Sequence, residues 1–266
     1  MATNWIYYPQ SPLVSAATVT DDIGTATGEA NILNPRLYST LEVDTVTGGE
    51  YRLLIDVGSG NTITPDFMAL LNHNLYTDSG TVGLTYSTSD SLSGTSPAGG
   101  TAVGVFSPDT LSSGEQPTFV KTSFLANPSK RYWWLDFTTA SNIASAGCLL
   151  IGNAVNPTVV PNLESMIEID IESGRIVNSS YGGYNFKTRT HDIKRVWQVK
   201  YQFLNDSDLA ILEAWLASES YCDTPFVFTN NGGTNYYYGE LLGNPVFNPV
   251  QSSLTNVEFT ISEVIA

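Results

Sequence analysis

Between Lys194 and Leu204 the chain alternates residue by residue. Trp197, Val199, Tyr201 and Phe203 fall on one face, and Lys194, Val196, Gln198, Lys200 and Gln202 make a mainly polar opposite face. A period of two predicts a half-buried antiparallel strand. Asn205, Asp206, Ser207 and Asp208 follow, and any of the first three can cap a helix. The two aspartates also place negative charge at the positive end of its dipole. Leu209, Leu212 and Leu216 are spaced by three and four, with Ile211 and Trp215 beside them, which predicts one broad apolar face on a helix over about 206–219. Leu209, Leu212, Trp215 and Leu216 are its expected anchors. Thr224-Pro225 closes it, and PFVF (225–228) opens another strand. No other segment of the 266 residues reads as convincingly helical.

The remaining patterns are those of strands and turns. YRLLIDV (51–57), TVGLTYSTS (81–89), 119–125, KRYWWLDF (130–137), GCLLIGNAV (147–155), MIEIDIE (166–172) and 253–265 all read as strands. PDFMALLNHNL (65–75) is apolar and short behind a proline, which favours a buried strand over a helix. Trp5 to Tyr8 form an aromatic arm in need of a packing surface. Residues 90–118, rich in Ser, Gly, Thr and Pro, read as a long loop holding short strands, and Asn231-Gly232-Gly233 as a hairpin turn. Pro157 and Pro161 punctuate a polar linker. The expected architecture is all-β with one α-helix, in two domains at 1–156 and 162–266.

Charge narrows the partners. Eleven Lys and Arg stand against 26 Asp and Glu, a formal net charge of −15, which argues against nucleic-acid binding. Six of the eleven cations (Arg175, Lys187, Arg189, Lys194, Arg195, Lys200) lie within residues 175–200, either as a solvated strand edge or as a contact to an acidic neighbour subunit. Two cysteines imply no disulfide framework, and no apolar run approaches the length of a membrane span. A soluble protein made in a cytoplasm, without a secretory signal, is expected.

Candidate chemistry is sparse. His73 and His191 have no nucleophile motif nearby, and a zinc site would have to gather both with Cys148 and Cys222 from four distant places. Glu168, Asp170 and Glu172 could serve as paired carboxylates for glycoside cleavage, but their alternation with isoleucines fits an exposed strand face better. Asp21, Asp22 and Asp56 are candidates for a loop calcium site. No cofactor fingerprint occurs. Tyr236, Tyr237 and Tyr238, like Tyr132, Trp133 and Trp134, can stack on sugars or bury at an interface, and an interface or packed edge is favoured for the tyrosine run.

Two stretches carry a resemblance. IDVGSGNTITPDFMALLNHNL (55–75) with KRYWWLDF and GCLLIGNAV (130–155) resembles galactose-binding-like β-sandwich modules of bacteriophage tail proteins. GGYNFKTR, KRVWQVKYQFL, the helix and TPFVF resemble the tube-like domain of distal and minor tail proteins. The resemblance implies a non-enzymatic structural component of a virion tail tip or baseplate, self-associating into a ring of six and joining the tail tube to tip proteins. The ring contact would draw on Lys187, Arg189, Lys194, Arg195 and Lys200 against Glu168, Asp170 and Glu172, with Tyr236, Tyr237 and Tyr238. The alternatives are a module recognising a host-surface glycan and, more remotely, a carbohydrate-active enzyme.

Overall fold

The computed structural model describes residues 5–34, 39–46, 49–75, 80–93, 96–106, 118–122, 128–138, 145–162, 166–170, 175–179, 185–189, 194–216, 224–230 and 235–264, with 96, 104–106, 118–122, 166–170, 175–179 and 185–189 as backbone. The chain divides into two compact units. Tyr8–Ala154 forms one, and the segment through Tyr7 joins Val155 onward to form the other. The expected division at 1–156 and 162–266 is therefore corrected at its start, because the aromatic arm belongs with the C-terminal unit. Strand pairing is the reason: Ile6–Tyr8 is the edge of that unit's six-stranded sheet, beside Phe226–Thr229.

In the unit Tyr8–Ala154, five antiparallel strands run in the order Thr101–Phe106, Thr81–Ser87, Tyr132–Thr138, Glu50–Asp56, Thr18–Ile23. A second sheet orders Thr118–Thr122, Phe67–Leu71, Cys148–Gly152. Phe67–Leu71 and Cys148–Gly152 are buried at every position, which is why FMALL and CLLIG are apolar without alternation. Tyr51, Leu53, Ile55, Leu84, Trp133, Leu135 and Phe137 of the first sheet share one core with Met68, Leu70, Leu149 and Ile151 of the second, so the unit is a β-sandwich. Trp133 and Trp134 are both fully buried, although alternation demanded only one in the core. Trp133 joins the core cluster, and Trp134 donates its indole N–H to Asp22. Thr101–Phe106 is a six-residue strand where only short strands in a loop were expected.

The six-stranded sheet orders Ile6–Tyr8, Phe226–Thr229, Tyr237–Gln251, Leu254–Glu263, Lys194–Leu204, Met166–Asp170. Trp197, Val199 and Tyr201 pair across to Ile261, Phe259 and Val257 and fill its core face, as their alternation requires. Phe203 departs from it. A bulge between Tyr201 and Leu204 turns Phe203 to φ 57° and leaves it 55% exposed. Tyr237–Gln251 is a single 15-residue strand despite Pro245 and Pro249. Phe226–Thr229 pairs only with its first residues, so among the described residues the rest has one open edge, where a missing N–H is tolerated, and Pro245 lies within a bulge.

The helix spans Asp206–Leu216, and the expected 217–219 lie outside the described residues. Asn205 is its cap, accepting the Asp208 N–H at 2.9 Å. The buried stripe is Asp208, Leu212, Trp215 and Leu216, with Leu209 packed partly against the core and Ile211 turned outward. Asp208 is buried because it holds the segment entering this unit, accepting the Thr158 N–H (2.9 Å), the Thr158 hydroxyl (2.7 Å) and the Val159 N–H (3.2 Å). The chain also has a second, four-residue α-turn at Pro12–Ser15 and a 3-10 turn at Glu29–Leu33. Both are too short for a helical period to show in the sequence.

Trp215 lies 4.7 Å from Tyr7 and 4.9 Å from Phe226, ring centre to ring centre, and is 7% exposed. Trp215→Ala is expected to cost about 3–5 kcal/mol in denaturant unfolding. A loss under about 1 kcal/mol would mean that the ring contributes little to this core.

Candidate functional site

One end of the sandwich gathers polar and aromatic side chains at the ends of neighbouring strands. Asp56 ends Glu50–Asp56, Tyr132 begins Tyr132–Thr138, and Ser87 ends Thr81–Ser87; the register sets Asp56 and Ser87 on either side of Tyr132. Arg131, just before its strand, donates Nε–H to Asp56 Oδ1 and Nη2–H to Oδ2, each at 2.6 Å. Its guanidinium also lies over the Tyr132 ring at 4.7 Å. The Arg131 side chain is 31% exposed and that of Asp56 24%, so the pair is fixed yet reachable from solvent.

Backbone geometry holds this end in shape. The Gly58 N–H donates to Asp56 Oδ1 at 2.9 Å, and Gly58 takes φ 93° at the start of a turn that returns to Ile63. Ile63 and Lys130 exchange both backbone hydrogen bonds at 3.0 Å, and the Trp133 indole donates to the Lys130 carbonyl at 3.1 Å. Ser87 Oγ donates to the Ala98 carbonyl, tying in the loop that follows Thr81–Ser87. Hydrogen bonds from Arg131 hold the Asp56 carboxyl below the usual carboxylate range, against a smaller upward push from burial. Of the five N–H donors on Arg131, two go to Asp56, leaving three. The site thus offers a fixed carboxylate acceptor, spare donors and a ring face. That combination suits a polyol whose adjacent hydroxyls both donate and accept.

The residues singled out for a subunit contact fall in the other unit. Glu168 and Asp170 lie on the edge strand Met166–Asp170, opposite Val196 and Lys194, so the acidic and basic strands are neighbours within one chain. Glu172 lies outside the described residues. Lys187 and Arg189 lie on Asn185–Arg189, paired with Arg175–Ser179. Arg195 pairs with Glu263 at 3.8 Å and lies over the Tyr237 ring at 5.3 Å, while Lys200 pairs with Glu258 at 3.9 Å. Tyr238 is buried, Tyr237 packs against Trp197 and Phe228, and Tyr236 is half-buried.

The candidate calcium ligands have separate partners. Asp21 accepts from Tyr51 and the Ala26 N–H, Asp22 from Trp134, and Asp56 from Arg131. Among the described residues no group of three or more acids, histidines or cysteines is placed to hold a metal. His191 and Cys222 lie outside them, and Cys148 is buried in its strand. In the sequence Asp56 stands as a calcium candidate and Arg131 within a separate strand motif. Only the pairing of Glu50–Asp56 with Tyr132–Thr138 brings them together.

No family model matches the chain, and no curated protein matches it. Among solved structures it is similar to chitosan-binding module 1 of a chitosanase/glucanase from Paenibacillus sp. IK-5, at 14% identity and a TM-score of 0.38, over 54% of this chain and 98% of that one. It is similar to the lectin domain of lectinolysin, solved with Lewis B antigen, at 12% identity and a TM-score of 0.38, over 54% and 96%. It is also similar to a carbohydrate-binding module (CBM32) of AlyQ, solved with 4,5-unsaturated mannuronic acid, at 20% identity and a TM-score of 0.34, over 55% and 96%.

His73 is 3% exposed at the end of the innermost strand, where burial lowers its pKa from 6.5 to about 4. The unfolded chain then binds a proton between those values that the folded chain does not. Stability is full above pH 6.5 and falls as the pH drops toward 4, by on the order of 3 kcal/mol. Urea unfolding at pH 7.5 and pH 4.5 should show that His73→Gln removes most of this loss. Equal losses in the two proteins would sink the assignment to His73.

Proposed function

We propose that the unit Tyr8–Ala154 binds carbohydrate, with Asp56, Arg131 and Tyr132 as the contact residues. The observation that carries this reading is the partly exposed Arg131–Asp56 pair stacked beside Tyr132. Two neighbouring hydroxyls can be read together there, one donating to the carboxylate and the other accepting from the guanidinium. The ring supplies an apolar face for the sugar's C–H groups. Binding without catalysis fits the same groups, because glycoside cleavage needs a second carboxyl and an acid with a raised pKa. Asp56 is shifted the opposite way. As part of a virion tail, such a module would meet host-surface glycan.

A glycan array probed with the full chain should return binders, and Arg131→Ala should weaken them about tenfold or more through the lost charge-assisted hydrogen bonds. Unchanged thermal stability of that variant would separate contact from folding. An empty array, or an Arg131→Ala protein that binds as wild type does, would remove this reading.

A second reading is favoured by the six-stranded sheet of the other unit. Leu242, Val246 and Val250 stand 57%, 49% and 47% exposed along one strand, and Leu242 and Val246 sit opposite Thr260 and Glu258 on the same sheet face. An apolar row on an otherwise polar face is a surface that another protein covers. We propose that this unit is the structural part of a tail-tip or baseplate component and self-associates, with the ring of six implied by the tail-protein resemblance. Light scattering at rising concentration should show assembly, and Leu242→Asp with Val246→Asp should abolish it. A protein that stays monomeric throughout, or a double variant that assembles normally, speaks against this surface.

A further inference from the structure

The face of the six-stranded sheet that points away from the helix carries an aromatic ring that strict alternation would have buried. Tyr201 and Leu204 both lie in the core, so the bulge between them shifts the alternation by one residue. Leu204 takes the core place that Phe203 would have filled. Phe203 falls with Gln202 on the outer face, and both are exposed. Asn256, opposite the bulge, accepts the Phe203 N–H at 3.0 Å and fixes that arrangement. The backbone of Phe203 is left-handed, at φ 57°, where a bulky side chain is strained and Gly or Asn is not. Among the described residues the other non-glycine with positive φ is an asparagine, Asn72. Strain and an exposed phenyl ring are both unfavourable in the isolated chain, and a partner that covers the ring offsets them.

Phe203, Leu242, Val246 and Val250 are the four most exposed large apolar side chains described. The strand Leu254–Glu263 runs between Phe203 and the other three, and its outward residues here are Asn256, Glu258 and Thr260. From the pair Leu242–Thr260 to the hairpin tip, the charges on the outer face of these three strands are Lys200 and Glu258, which pair at 3.9 Å. This part of the face is therefore neutral, on a chain of net charge −15. Two copies of so acidic a chain repel each other over most of their surface, and here they approach without that cost. Pro245 and Pro249 remove two N–H donors from the strand Tyr237–Gln251, so its edge is a poor template for an added strand, and the face is the surface offered.

Resting on the reading of this unit as an assembly surface, we infer that Phe203 is the anchor of self-association, the ring of one copy seating on the Leu242–Val246–Val250 row of a second copy. The contact joins unlike patches on either side of one strand, so it serves a closed pair or a ring equally. The bulge held by Asn256 is the device that presents the ring.

Sedimentation of the full chain over a wide concentration range, with urea unfolding in parallel, tests this contact. Phe203→Gly should weaken association about tenfold or more, as truncation of an interface anchor does. Its unfolding midpoint should stay level or rise, because glycine takes this backbone conformation without strain. Mixing Phe203→Gly with the Leu242→Asp, Val246→Asp double variant should recover a one-to-one complex that neither forms alone, since the intact row of the first meets the intact ring of the second. Wild-type association should strengthen with added NaCl, which screens the repulsion between acidic copies. A markedly lowered midpoint in Phe203→Gly means that the ring packs within its own chain and overturns the inference. Association that weakens with salt overturns it in favour of the charged strand edges. If Phe203→Gly associates as wild type does, or the mixture recovers nothing, Phe203 is not the anchor, while loss of association in the double variant keeps the assembly surface standing. A chain that is monomeric throughout removes the assembly reading and this inference together, and leaves the face to a different protein.

Discussion

Tyr7 has no exposed surface, and its hydroxyl sits 2.9 Å from that of Tyr201, also fully buried. Two phenols inside an aromatic core have to satisfy each other, because an unpaired buried hydroxyl costs about 1–3 kcal/mol. Burial first, and then the partner hydroxyl, raise the Tyr7 pKa well above the ordinary tyrosine value, so the pair stays neutral at any physiological pH. Tyr7 also exchanges both backbone hydrogen bonds with Val155, at 2.9 and 2.8 Å. A residue seven from the start is thereby built into a unit whose remaining chain begins at Val155. The sandwich is an insertion in that unit. Its two ends leave from the paired residues Tyr7 and Val155, the arrangement under which an inserted domain disturbs its host least.

This constraint explains which parts of the fold could be read ahead of the structure. Alternation in 194–204 and 253–265, the continuous apolar runs at 67–71 and 148–152, and the leucine spacing in 209–216 are local signals, and they correspond to elements of the fold. The place of the arm is not a local property. Trp5 and Tyr7 announce a need for burial, but their partners Phe228, Tyr201 and Trp215 lie about two hundred residues away. Thr18–Ile23 was equally hidden. Its threonines favour a strand, yet Asp21 and Asp22 break the apolar alternation because one of them occupies a bulge.

The candidate site divides in the same way. Arg131 and Tyr132 were visible as part of an aromatic strand, and Asp56 as a calcium candidate. Their association depends on register, and a slip of one residue would have turned Asp56 to the other face of the sheet. His73, which attracts attention in the sequence, has structural surroundings instead. His73 is enclosed by the sandwich, and Glu258 and Glu263 are matched to Lys200 and Arg195 within their own sheet.

The sites proposed for the two units follow different physics, which is what a protein with separate binding and assembly surfaces requires. At the sandwich end, side chains are fixed before any ligand arrives: Asp56 is gripped by both Arg131 and a backbone N–H. Prior fixation lowers the entropy cost of holding a small ligand, where each contact is weak. On the long strand, Leu242, Val246 and Val250 stand in water without such support. Their contribution grows only with the area covered, so they favour a broad partner surface over a small molecule. Neither surface borrows a residue from the other.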